Sequence, residues 1–266
     1  MKRLIKIELL KIRSNATFWV LTGLHVGIIL LVLMTGGLVL HSIQLNGENV
    51  GDLIDPATIP LYQFPDIWHN FTYVAAYLKF ILAIYMIISI TTEISYETLR
   101  QNIMNGLSRT DFIISKLFLI LIMTAGSTLF LFLTTLVIGL IGTPNLEWHD
   151  LVKYSGFIPA YFLELSAYLI FALLIGLLIK RTGLAIGLLF LYTIIIEPIL
   201  ALRIKSDLVK GLLPLRAINN LIHVPFGKYA LREVQDYVAF TEILIVFLYL
   251  ILYVYLIHLL LQKRDL

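Results

Sequence analysis

The chain has no cysteine among its 266 residues, so disulfides, thiolate metal sites and cysteine nucleophiles are excluded together. Charge is scarce too: Asp, Glu, Lys and Arg make up 14% of the sequence, against about a quarter in a soluble domain, while 59% is hydrophobic. No polar stretch exceeds about thirty residues, which is too short for an independent soluble core. Phosphate-binding loops are missing. The only Gly-Lys pair is Gly227-Lys228, and Ile222 stands where such a loop needs its first glycine. There is no H-E-x-x-H, no G-x-S-x-G and no potassium-filter sequence. His41, His69, His149 and His223 show no ligand spacing, so neither a metal site nor a catalytic residue is expected. The start, "MKRLIKIELLKIRSN", is charged as far as Arg13 and is followed by an apolar run too long for a signal-peptide core; it reads as uncleaved.

What remains is apolar length. A helix needs roughly 20 apolar residues to cross the hydrocarbon core. Six runs qualify: Thr17–Leu40, Phe71–Thr92, Leu117–Ile141, Phe157–Ile179, Gly183–Leu202 and Tyr237–Leu261. The expected fold is therefore an all-α polytopic membrane protein, with residues 1–266 forming one transmembrane domain. Residues 1–16 are expected to form an amphipathic helix on the membrane interface. Met1, Ile5, Leu9, Ile12 and Ala16 share its apolar face, and Lys2, Lys6 and Arg13 lie beside it.

Six spans put both ends on one side. That side carries Lys2, Arg3, Lys6, Lys11, Arg13, Arg100, Arg109, Lys116, Lys180, Arg181, Lys263 and Arg264. The other carries Lys153, Arg203, Lys205, Lys210, Arg216, Lys228 and Arg232, and its first loop, 41–70, has acids but no Lys or Arg. The positive-inside rule places both termini in the cytoplasm of a multi-pass cell-membrane protein. The fifth span is interrupted by Pro198. Gly183 to Glu197 gives only about 22 Å of helix, short of a ~30 Å core. The half-apolar stretch 199–227 is expected to form short helices dipping into the outer leaflet, its basic residues snorkelling to the head groups.

Between the second and third spans lies "TTEISYETLRQNIMNGLSRTDFIISK". Tyr96, Leu99, Ile103, Met104 and Leu107 make one stripe at helical spacing, with Glu97, Arg100, Gln101, Asn102 and Asn105 largely away from it. One helix is predicted from about Glu93 to Met104. Asn105-Gly106 then ends it, and Ser108-x-x-Asp111 forms a capping box that opens the next helix. A plain connector lying on lipid would show the same stripe.

Glu93, Thr98, Arg109 and Lys116, spaced E-x4-T-x10-R-x6-K, resemble the cytoplasmic loop of permease subunits of type-2 ABC transporters. Glu97-Thr98 stands where that family commonly has Gly-Thr. The ending "LLLQKRDL", the segment "LLPLRAINNLI", the six spans and the basic N-terminal helix are similar to the family as well. The resemblance implies a homo- or heterodimer of permease subunits joined to two soluble ABC ATPase subunits. These would bind the ATP and Mg that this chain cannot; no cofactor is expected in the chain itself, and no nucleic acid among its partners. It also implies that residues 93–107 are a coupling helix. Tyr96, Leu99, Ile103 and Met104 would be its apolar anchors, Arg100 and Arg109 its polar contacts, and Glu93 and Thr98 its family-motif members. The expected function is an exporter working by alternating access. The alternative is an ATP-independent carrier, scaffold or sensor; a carrier would predict inverted repeats, but only one span is broken.

Four charged residues fall within the spans: Lys79, Glu164, Glu197 and Glu242. All lie in the outer half. A lone charge near mid-bilayer costs about 2.5–3.5 kcal/mol on insertion scales, so each needs a partner or a wet cavity. They are expected to form a polar layer at an outer gate, with Lys79 paired to Glu164 or Glu197; a purely structural ion pair with snorkelling is the competing reading. Trp19, Trp68 and Trp148 near span ends are expected in the aromatic belt. Glycines 23, 27, 36, 37, 139, 142, 183 and 187 are expected to permit close helix packing.

Overall fold

A computed structural model describes residues 2–46, 60–98, 101, 104, 106–226 and 235–262, with the backbone alone for 2–6 and 37–46. Among these residues every regular element is helical. The elements are α1 Lys2–Ser14, α2 Ala16–Asn46, α3 Asp66–Tyr77, α4 Lys79–Ser95, α5 Arg109–Gly142, α6 Trp148–Val152 and α7 Phe157–Ile179. They continue with α8 Thr182–Leu191, a π-helical turn Tyr192–Ile196, α9 Glu197–Arg203, α10 Asp207–Gly211, α11 Pro214–Asn219 and α12 Phe240–Gln262. Six stretches are long and apolar enough to cross a membrane: Ala16–Gly36, Asp66–Ser95, Arg109–Gly142, Trp148–Ile179, Thr182–Arg203 and Phe240–Gln262. These are the six runs expected, with shifted ends.

The shifts have local causes. The third span starts at Arg109 because Ser108 is extended and its hydroxyl accepts the Asp111 N–H at 3.0 Å, the capping box expected there. The fifth is longer than Pro198 suggested. The helix widens over Tyr192–Ile196, just before Pro198, and then continues through α9 to Arg203. The second span is broken at Leu78, between α3 and α4. The short helices α10 and α11 follow the fifth span, in the stretch where such helices were expected.

The buried centre is α7, on which α3, α4, α5, α8 and α12 all pack. It packs closely on α4, where a Cβ on Gly176 would lie 2.5 Å from Ile90 Cγ2, so a larger residue would require the Ile90 side chain to shift. Gly176 was not among the expected glycines. Of those, Gly139 receives the Phe64 ring, whereas Gly23, Gly27, Gly183 and Gly187 have nothing within 4 Å of a built Cβ.

Two expectations are corrected. Trp68 is no belt residue. It is 1% exposed, stacks on Phe132 with ring centroids 5.5 Å apart, and donates its indole N–H to the Leu151 carbonyl at 2.9 Å. Trp19 and Trp148 are exposed. The expected apolar face of residues 1–16 is split: in α1 Ile12 is buried but Leu9 is exposed, Ala16, which opens α2, is exposed too, and the inward face of α1 carries Glu8. The side chains of Met1 and Ile5 lie outside the described residues.

Candidate functional site

The polar ends of α1, α4, α5 and α12 meet on one side of the bundle, which also holds the chain's N-terminal helix. Lys116 of α5 is fully buried. Its ammonium donates to Glu93 Oε1 of α4 at 2.6 Å and to both oxygens of Glu8 of α1 at 3.3 Å. Lys11 of α1 donates to the same Glu93 oxygen at 2.8 Å and to Glu8 Oε1 at 3.2 Å. Two acids and two bases thus form a neutral cluster across three helices. Such a cluster offsets the desolvation of its members only while complete. Burial alone would lower the pKa of Lys11, but the Glu93 and Glu8 carboxylates outweigh it and raise the pKa above the usual lysine value.

The family-like quartet is therefore a frame. Glu93 closes on Lys116, tying the stem entering the loop to the stem leaving it. Thr98 donates its hydroxyl to the Glu93 carbonyl at 3.1 Å, satisfying an orphan acceptor at the end of α4. Arg109 donates to the Gln262 carbonyl at 2.5 Å, pinning the start of α5 to the end of α12. The loop helix itself begins later than expected. α4 stops at Ser95, and Glu97 takes a left-handed φ of +53°, a conformation that favours glycine. This is the position at which the resembled family commonly has glycine. Beyond it, Thr98, Gln101 and Met104 are helical, with the Gln101 N–H bonded to the Glu97 carbonyl at 2.9 Å. Gly106, at φ +90°, precedes the cap. Tyr96 is 74% and Met104 76% exposed. Leu99, Arg100 and Ile103 lie outside the described residues.

The four intramembrane charges do not form one layer. Lys79 pairs with Glu164 at 2.5 Å, donates to Asn219 Oδ1 at 2.5 Å and lies 5.1 Å from the centre of the Tyr168 ring. Glu197 does not reach this pair. Its buried carboxylate accepts the backbone N–H groups of Leu215, at 3.0 Å, and Arg216. Glu197 thus caps the N-terminus of α11, and Lys79 grips Asn219 at the helix's C-terminus; both signs match the helix dipole. Two buried charges from the second and fifth spans hold one short helix at its two ends. Glu242 stands apart, bonded to His223 Nε2 at 2.8 Å and accepting the Ala239 N–H at 3.2 Å at the start of α12. Glu197→Ala should leave two N–H groups unpaired, at about 1–3 kcal/mol each. The expected result is faster hydrogen exchange across Pro214–Asn219.

Sequence reasoning missed Glu8, His25 and Asn219. His25 joins four spans. Its Nδ1–H donates to the Leu78 carbonyl at the break in the second span (3.2 Å). In the neutral ring Nε2 then accepts from the Ser127 hydroxyl at 2.8 Å, and Ser127 bonds the Tyr161 hydroxyl at 2.9 Å. An ionisable residue inside an apolar span was the available signal. Among the described residues no three His, Asp or Glu side chains are grouped to hold a metal ion.

Residues 4–196 match the family model described as ABC-2 family transporter protein. No curated protein matches the chain.

Proposed function

Because the chain belongs to the ABC-2 transporter family, we propose that it is the permease subunit of an ABC exporter. Two such subunits form the path, and two soluble ATPase subunits bind ATP and Mg and drive it. In this reading the protein lies in the cell membrane with both termini in the cytoplasm. The loop 93–107 docks in the ATPase, Tyr96, Leu99, Ile103 and Met104 entering its cleft, with Arg100 at the rim. Arg109 and Glu93 serve as braces rather than contacts. The short helices α10 and α11 dip into the outer leaflet, and Lys79, Glu164 and Glu197 form its gate.

One observation carries the reading. The two stems of the loop are tied to each other and to α1 and α12 at Glu93, Lys116 and Arg109, while Tyr96 and Met104 of the loop are exposed. Exposed apolar side chains between braced stems suit a partner that pushes on the loop. Motion of the loop would pass to the spans as a rigid-body tilt. The test is co-expression with a soluble ABC ATPase from the same cell. The two should co-purify, and ATP hydrolysis should require both. An intact transporter that works without an ATPase would refute the proposal.

A further inference from the structure

A cavity of about 700 Å³ runs between α7 and α12 and the connections that precede them. Phe157, Leu163, Phe247 and Leu250 are among its apolar walls, and Tyr154, Asp236 and Tyr237 line its polar end. The α12 wall, from Phe240 to Leu250, is about 15 Å long. Phe247 is exposed, so the cavity opens laterally on the apolar surface of the bundle, and Asp236 and Tyr237 are exposed at its end. Among the described residues Asp236 is the only charged residue in the lining. Its Oδ2 accepts the Tyr154 hydroxyl at 2.6 Å, which fixes the carboxylate at the mouth. A carboxylate has room for about four donors, and the exposure of Asp236 leaves it open to another.

We infer that this cavity binds an amphiphilic cation, its ammonium against the Asp236 carboxylate and the Tyr237 ring and its apolar body along the α7–α12 groove. The charges around the mouth select the head group. Gln235 beside Asp236 donates to Glu242, and Asp66 lies within Coulombic range of the Tyr154 hydroxyl, so both add negative potential. Against these three acids stand Lys153, whose ammonium lies 5.0 Å from the centre of the Tyr154 ring and outside the lining, and His223, which is bonded to Glu242. An anionic head would meet Asp236 with no base in the lining to receive it. A neutral head can donate to the carboxylate but lacks the Coulombic attraction, and the Tyr237 ring favours a cation further. The lateral opening admits a molecule already dissolved in lipid.

The test uses the purified full chain in phosphatidylcholine nanodiscs at low salt. The probe is an alkyltrimethylammonium with a photoreactive diazirine in its chain, compared with the matching alkyl sulfonate and alcohol. Labelling of peptides containing Phe162 or Phe247 is read relative to residues 20–31 of α2, whose exposed Val20, Leu24 and Leu31 correct for partition into lipid. On that ratio the ammonium probe should exceed the sulfonate at least about fivefold. Asp236→Asn keeps an acceptor for Tyr154 but removes the charge, and should bring the ammonium probe down to the level of the alcohol. Ser166→Phe fills the deep end of the cavity without touching Asp236 and should reduce labelling by the ammonium probe. Equal labelling by the three probes, preference for the sulfonate or the alcohol, or ammonium labelling unchanged in either variant would overturn the inference. No ATPase is needed, so such a failure leaves the permease proposal standing, and a failure to co-purify with an ATPase leaves this one standing.

Discussion

Lys116→Met should destabilise the protein by about 3–5 kcal/mol, because removing one member of a buried ion cluster strands the others. Glu8 and Glu93 would share a single ammonium, that of half-exposed Lys11. The lost ties join α1, α4 and α5, so coupling should fall along with stability. Thermal inactivation in detergent reads the first effect, and the ratio of transport to ATP hydrolysis the second. The double variant Lys116→Met, Glu93→Gln removes one charge of each sign from the cluster and should recover part of the lost stability. If the double variant is no more stable than the single one, the cluster is not held together by its charges.

Leu99→Asp or Ile103→Asp should do the reverse: leave stability nearly untouched and abolish coupling. A buried interface anchor is worth at least about 2 kcal/mol when truncated, so ATPase association should weaken more than tenfold. Membrane insertion and thermal inactivation should match the unmodified chain. Lys116→Met and Leu99→Asp therefore separate the brace from the contact. A transporter with Leu99→Asp that still couples normally would remove the loop from the mechanism.

The frame of the fold was legible because lipid imposes length. Six apolar runs became six long helices, and Ser108-x-x-Asp111 became a cap, since both signals are local. Lys79 with Glu164 was legible for a different reason: a charge in hydrocarbon needs a partner, and few were available. Glu8 was not. In an amphipathic interfacial helix an acid reads as solvated, and nothing local announces that Lys116 lies 108 residues away in sequence. The break at Leu78 was hidden too, having neither proline nor glycine; a histidine from another span meets its carbonyl. Glu197 was recognised as a charge needing a partner, but that partner is backbone at Leu215 and Arg216, which no side-chain pattern encodes. The expected helix from Glu93 to Met104 does not run unbroken, because its periodicity continues through Glu97, where the backbone turns left-handed.

The absence of cysteine makes the most direct measurement clean. Met104→Cys adds the chain's sole thiol at an exposed loop position. In membrane vesicles carrying the assembled transporter, a membrane-impermeant maleimide should label it only from the cytoplasmic face, and bound ATPase should protect it. Labelling from outside intact cells, or labelling that the ATPase leaves unchanged, would contradict the account.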